Sequence, residues 1–156
     1  MLNTGQLLVL DAFYYDPKIH GQTDDVELGQ KICDWFEGVH RKYPGLRYKR
    51  HSGTIDNANW SLIQMLQQSK AMGFFKWYPA TDKMILRDVN RLRVLLRNNM
   101  LLFNVESDNQ VQCIVDEFEN FVYDEKTGEI KANQSDHGID ATKYGTLLYT
   151  NTQIFF

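Results

Sequence analysis

Asp136-His137-Gly138-Ile139-Asp140-Ala141-Thr142-Lys143-Tyr144 brings two carboxylates and an imidazole into one short stretch. Ser135 is placed to cap a helix, and the residues after it read as helical. At about 3.6 residues per turn, His137, Asp140, Ala141 and Tyr144 share one face. A carboxylate packed beside Ala141 and Tyr144 loses water, which costs free energy until something pairs with it. A divalent cation is one such partner. The competing reading is an exposed first turn in which Asp136 and Asp140 simply favour the helix dipole.

Another carboxylate stands where a strand meets a helix. The residues from Arg47 to Asp56 read as a strand that ends in the acid, and those from Asn57 to Leu66 as the start of a helix. An Asp at the C-terminal end of a central strand, with an Asp on a late helix, is an arrangement that two-metal nucleases use.

Ile55-Asp56 followed by Ala58 and a helix, and the later Asp-His-x-x-Asp-Ala-x-x-Tyr-Gly run from Asp136 to Gly145, resemble the nuclease domain of the large terminase subunit of tailed bacteriophages. The resemblance runs from Leu7 to Tyr149 and is most specific at Asp136 to Ala141. It implies a single α/β domain over 1–156: an RNase H-like mixed sheet with helices on both faces and a β-hairpin before the last helix. In that family the first three strands form an antiparallel meander, and the first carries a metal-binding Asp. Here Leu7 to Tyr15 resembles the third of those strands, so the first two and their Asp are expected to be missing. No G-x-x-x-x-G-K-[ST] run marks an ATPase motor either. The chain thus resembles the C-terminal part of a terminase, as a fragment, a split-gene product or a decayed prophage copy.

The resemblance gives roles to particular residues. Asp56 and Asp140 are the expected metal ligands, their hard oxygens suiting Mg²⁺ or Mn²⁺. Two bare carboxylates about 4 Å apart repel by roughly 4 kcal/mol at an effective dielectric of 20, so a cation or a proton must relieve them. His137 is a base, a water-positioning group or a ligand; otherwise it is an exposed first-turn side chain. Asp136 points about 100° away on the helix and serves its start. Asp11 either adds a third carboxylate to the metal cluster or pairs with a basic side chain. Lys83, Arg87 and Arg91 recur at i, i+4 and i+8 on one helix face, Arg47, Lys49 and Arg50 lie on a strand, and Lys126 and Lys131 lie at the hairpin. They are either phosphate contacts for DNA or an ordinary solvated face.

The implied activity is metal-dependent cleavage of double-stranded DNA during phage genome packaging, in the cytoplasm of the bacterial host. The small terminase subunit and the portal or procapsid are the implied partners. One alternative is a truncated, inactive domain that retains DNA or procapsid contacts. Another is a different RNase H-like nuclease, such as a junction resolvase. With the first-strand Asp missing, the chain alone is expected to cut poorly.

Composition bounds these readings. The length of 156 residues is enough for a real core. A net charge of −3 gives no global pull toward nucleic acid, so any DNA contact needs local basic patches. Cys33 and Cys113 sit in apolar helical patterns and read as core residues in a reducing compartment. No run of about 18 apolar residues predicts a membrane span, and the first residues lack the pattern of a secretion signal.

The elements that must position these residues follow from periodicity and punctuation. Strands are expected over Leu7–Tyr15, Leu46–Ile55, Gly73–Tyr78 and Met100–Phe103. Asp24 and Glu27 open a helix that ends near Arg41, with Leu28, Ile32, Trp35, Phe36 and Val39 on one face. Further helices are expected over Ala58–Ser69, from Thr81 to about Arg97, and over Asn109–Phe118. The flanks of Asp124–Gly128 read as a hairpin. The first two strands are expected to be neighbours, and Trp35, Trp60, Trp77, Phe74 and Phe75 to be core.

Overall fold

The computed structural model describes residues 6–46, 51–56, 60–69, 75–80, 85–106, 108–122 and 136–153. They form two compact units, Met1–Tyr14 with Ile85–Thr146, and Tyr15–Met84 with Leu147–Phe156. Both are α/β, and both strand ladders are parallel.

In the first unit β1 (Leu7–Val9) runs parallel to β4 (Leu101–Phe103), pairing Leu7 with Leu101 and Val9 with Phe103. The strand expected as far as Tyr15 stops at Val9, because side chains take over from the ladder. Asn104 donates through its amide side chain to Leu10 O (3.3 Å), and Asp11 Oδ1 accepts from Ala12 N (2.8 Å). Tyr14 N donates to Gln110 Oε1 at 2.6 Å. Such local side-chain bonds offer the backbone an alternative to a sheet.

Helix α4 (Ile85–Arg97) precedes β4, and α5 (Val111–Asn120) follows it. Asn99 ends α4 with φ 52°, a left-handed value that Asn tolerates, and Met100 N closes the turn on Leu95 O. Ala12, Val111 and Ile114 form one core cluster, and Leu92, Leu101 and Ile139 another; Val9, Phe103 and Phe118 pack against both.

In the second unit Asp16 caps the single turn α1 (Pro17–His20), with Pro at its first position and Gly21 after it at φ 82°. Asp24 caps α2 (Asp25–Lys42) by accepting from Glu27 N at 2.8 Å, as the Asp24/Glu27 spacing predicted. Helix α2 buries Gly29, Cys33, Phe36 and Val39, while α3 (Trp60–Gln68) buries Leu62, Ile63 and Leu66. Cys33, Phe36, Leu62 and Leu66 make their shared core. Trp60, expected in the core, is exposed: it opens α3, and Leu62, Ile63 and Leu66 take the inward positions.

Strand β2 (His51–Asp56) pairs in parallel with β3 (Phe75–Ala80), from His51 opposite Phe75 to Asp56 opposite Ala80. Leu46 belongs to a 3-10 turn, Pro44–Leu46, rather than to the strand. Pro79, expected to close β3, lies within it opposite Ile55. A proline has no N–H for a second neighbour, and among the described residues β3 has only β2 beside it. The expected pairing of the Leu7 strand with the Leu46–Ile55 strand is not among the described ladders. The expected hairpin at 121–131 lies almost wholly outside the described residues. No helix among the described residues is long and apolar enough to cross a membrane.

Candidate active site at the start of the last helix

Helix α6 (His137–Gln153) begins against α5. The meeting point is Glu117, a carboxylate only 7% exposed. Its Oε2 accepts from Gly138 N (2.6 Å) and Ile139 N (3.2 Å), and its Oε1 accepts from the Tyr14 hydroxyl (2.7 Å). The first amides of a helix have no partner within it and carry its positive dipole end, so a carboxylate suits them. Each buried amide left without an acceptor costs about 1–3 kcal/mol. Gly138 allows the close approach: a Cβ there would lie 2.9 Å from both Glu117 Oε2 and Ile114 Cγ1, and 3.2 Å from Ile114 Cα. Ser135, the cap expected from the sequence, lies outside the described residues.

This contact decides which face of α6 turns inward. Gly138, Ile139, Thr142, Lys143 and Thr146 are buried, while His137 and Ala141 are exposed. The Thr142 and Thr146 hydroxyls donate to Gly138 O (2.7 Å) and Lys143 O (2.9 Å), which satisfies them inside the unit. The face carrying His137, Asp140, Ala141 and Tyr144 is therefore the outer one, and the expected packing of Asp140 beside Ala141 is corrected. Asp140 has a different partner: Lys143 Nζ donates to its Oδ1 at 2.6 Å. The lysine side chain is 4% exposed and that of Asp140 45%. The desolvated charge of the pair is thus the ammonium, which also lies 4.6 Å from the centre of the Tyr144 ring.

The other candidates fall in different places. Asp56 is the last residue of β2, at the strand end where the sequence put it, and belongs to the second unit; its side chain lies outside the description. Asp11 is half-buried just past β1 and folds back on Ala12 N. Arg91, half-buried on α4, donates from Nη2 to Thr146 O at 2.6 Å and so ties α4 to α6. Lys83, Lys126 and Lys131 lie outside the described residues, as does the side chain of Arg87. Among the described residues no three His, Cys, Asp or Glu side chains gather into a metal-binding group.

A half-exposed carboxylate with one oxygen held by an ammonium still fits a hydrated divalent cation. Such an ion binds through one or two carboxylates and keeps several waters. Glu117, Gly138 and Lys143 were missed as supports of the site. Their signal was a Glu on the apolar stripe of one helix, facing a Gly at the start of the next. No protein-family model, curated protein or solved structure gives a significant match to this chain.

Proposed function

We propose that this chain is a Mg²⁺- or Mn²⁺-dependent endonuclease module of the RNase H-like, terminase type, acting on double-stranded phage DNA during genome packaging. The observation that carries the reading is Asp140: a half-exposed carboxylate on the capped first turn of α6, one turn after an exposed His137. The position of Asp56, at the C-terminal end of a parallel strand, supports it. In the first unit Asp140 would hold a cation, with Asp11 as a further ligand and His137 to orient or deprotonate water; in the second unit Asp56 is the expected ligand. The chemistry a divalent cation supplies when bound is water activation and neutralisation of charge at the scissile phosphate. Lys83, Arg87, Arg91, Lys126 and Lys131 are the proposed contacts to the DNA backbone. The small terminase subunit and the portal are the partners, in the host cytoplasm.

The Lys143–Asp140 pair favours a second reading. An acid already neutralised by an internal ammonium needs no metal, which suits a DNA- or procapsid-binding module without chemistry. Mn²⁺ titration followed by thermal unfolding separates the two. A cation bound only by the native state adds about 2.7 kcal/mol at a hundred times Kd, so a rise in Tm is expected, reduced in Asp56→Asn and in Asp140→Asn. Digestion of linear duplex, four-way junction and RNA–DNA hybrid with Mn²⁺ then identifies the substrate. An unchanged Tm together with no cleavage leaves the non-catalytic reading.

A further inference from the structure

We infer that Glu117 is a positioning residue that fixes two candidate carboxylates, Asp11 and Asp140, to one point on α5. The inference rests on the nuclease reading for its functional meaning and on unit geometry for its mechanics. Helix α5 presents Gln110 at its N-cap and Glu117 seven residues later, on the same side. Gln110 accepts from Tyr14 N and Glu117 from the Tyr14 hydroxyl, so the segment that follows Asp11 is held at both ends of one residue. The other oxygen of Glu117 accepts from Gly138 N and Ile139 N, at the turn that carries His137 and Asp140. One buried carboxylate therefore couples Tyr14, in the segment after β1, to the start of α6. Glu117 touches no substrate in this role. It acts through Asp140, whose place is set by the turn that Glu117 caps.

Glu117→Gln keeps one carbonyl acceptor of the same reach, whereas Glu117→Ala keeps none. The test is amide hydrogen exchange by NMR on the full chain, together with Mn²⁺ affinity by calorimetry. In Glu117→Ala, exchange at Gly138 and Ile139 is expected to quicken about tenfold or more, with Leu92 and Leu101 amides at the native rate. Mn²⁺ affinity is expected to fall about tenfold, and Glu117→Gln to restore both within about threefold. Tyr14→Phe is expected to quicken exchange at the Tyr14 amide severalfold and to leave Gly138 and Ile139 protected. Native protection in Glu117→Ala overturns the inference. So does lost protection with unchanged Mn²⁺ affinity, since that is a cap without a positioning role. A wild-type chain that binds no Mn²⁺ removes the nuclease reading, and the exchange rates still decide whether Glu117 holds the turn. Should Glu117→Ala not fold, native exchange at the Tyr14 amide in Tyr14→Phe overturns the inference, since Glu117 then does not hold that segment.

Discussion

Cys33, Phe36, Val39, Leu62, Ile63 and Leu66 fill the interior of the unit that carries Asp56, whereas the unit that carries Asp140 also buries Asp88, Glu117, Thr142, Lys143 and Thr146. Among the residues whose burial is described, the polar side chains that are buried as a whole all lie in that second group, in the first unit. An apolar interior is non-directional, and its stabilisation grows with the area removed from water. A polar interior is directional: each group must meet its partner at the right distance, and a missing partner is costly. The difference teaches that α2 and α3 are held together by burial, while the α5–α6 junction is aimed.

The largest effect is expected in the apolar unit. Leu66→Ala removes a fully buried side chain from the α2–α3 core, and the transfer loss plus the cavity should cost about 2–5 kcal/mol in urea unfolding. A cost below about 1 kcal/mol would mean that the core collapses around the gap, and burial would no longer distinguish this unit.

Glycine substitutions sharpen the comparison at a smaller scale. In Gly138→Ala the new Cβ meets the Ile114 backbone and the Glu117 carboxylate, neither of which can yield without breaking the cap. A loss of about 1–3 kcal/mol is expected. In Gly29→Ala the Cβ meets the far end of Met65, a flexible side chain that can swing aside. The gain in helix propensity, up to about 1 kcal/mol, then brings the net effect near zero. Equal losses in the two variants, measured by the same denaturant titration, would erase the contrast.

The smallest effect concerns a surface pair. Glu27 and Lys31 meet at 2.7 Å on α2. The hydrogen bond from Lys31 lowers the Glu27 pKa, and Glu27 raises that of Lys31. A lowered carboxylate pKa adds stability above the ordinary carboxylate range and loses it as pH falls through the lowered value. A raised lysine pKa adds stability below the ordinary lysine range and loses it as pH rises through the raised value. Glu27→Gln should flatten the acid limb of unfolding stability slightly, and only at low salt. A large change that persists in high salt would show this surface pair to be part of the interior after all.

Much of the scaffold was legible in the residues. Asp24 with Glu27 named the start of α2, and the chain placed Asp56 at a strand end followed by helix, as observed. These are local signals, set by neighbours a few residues away. The inward face of α6 was not legible. Ala141 and Tyr144 look more apolar than Thr142 and Lys143, but the choice is made by Gly138 lying against Ile114 and Glu117, more than twenty positions earlier. Glu117 itself was passed over because a carboxylate on a helix reads as solvated, and only the unpaired amides of another helix make its burial favourable. The exposed Trp60 was misread for the converse reason, since bulk and apolarity alone do not place a side chain at the first residue of a helix.

Both cysteines are free thiols, Cys33 buried and Cys113 half-buried. Cys33 lies in the α2–α3 core, and Cys113 lies on α5 between Gln110 and Glu117. Each unit therefore contains one intrinsic chemical reporter. A thiol reagent under native conditions should modify Cys113 through small fluctuations of α5 and Cys33 only when the α2–α3 core opens. The ratio of the two labelling rates is then a clock that times the opening of each unit separately, with no residue replaced.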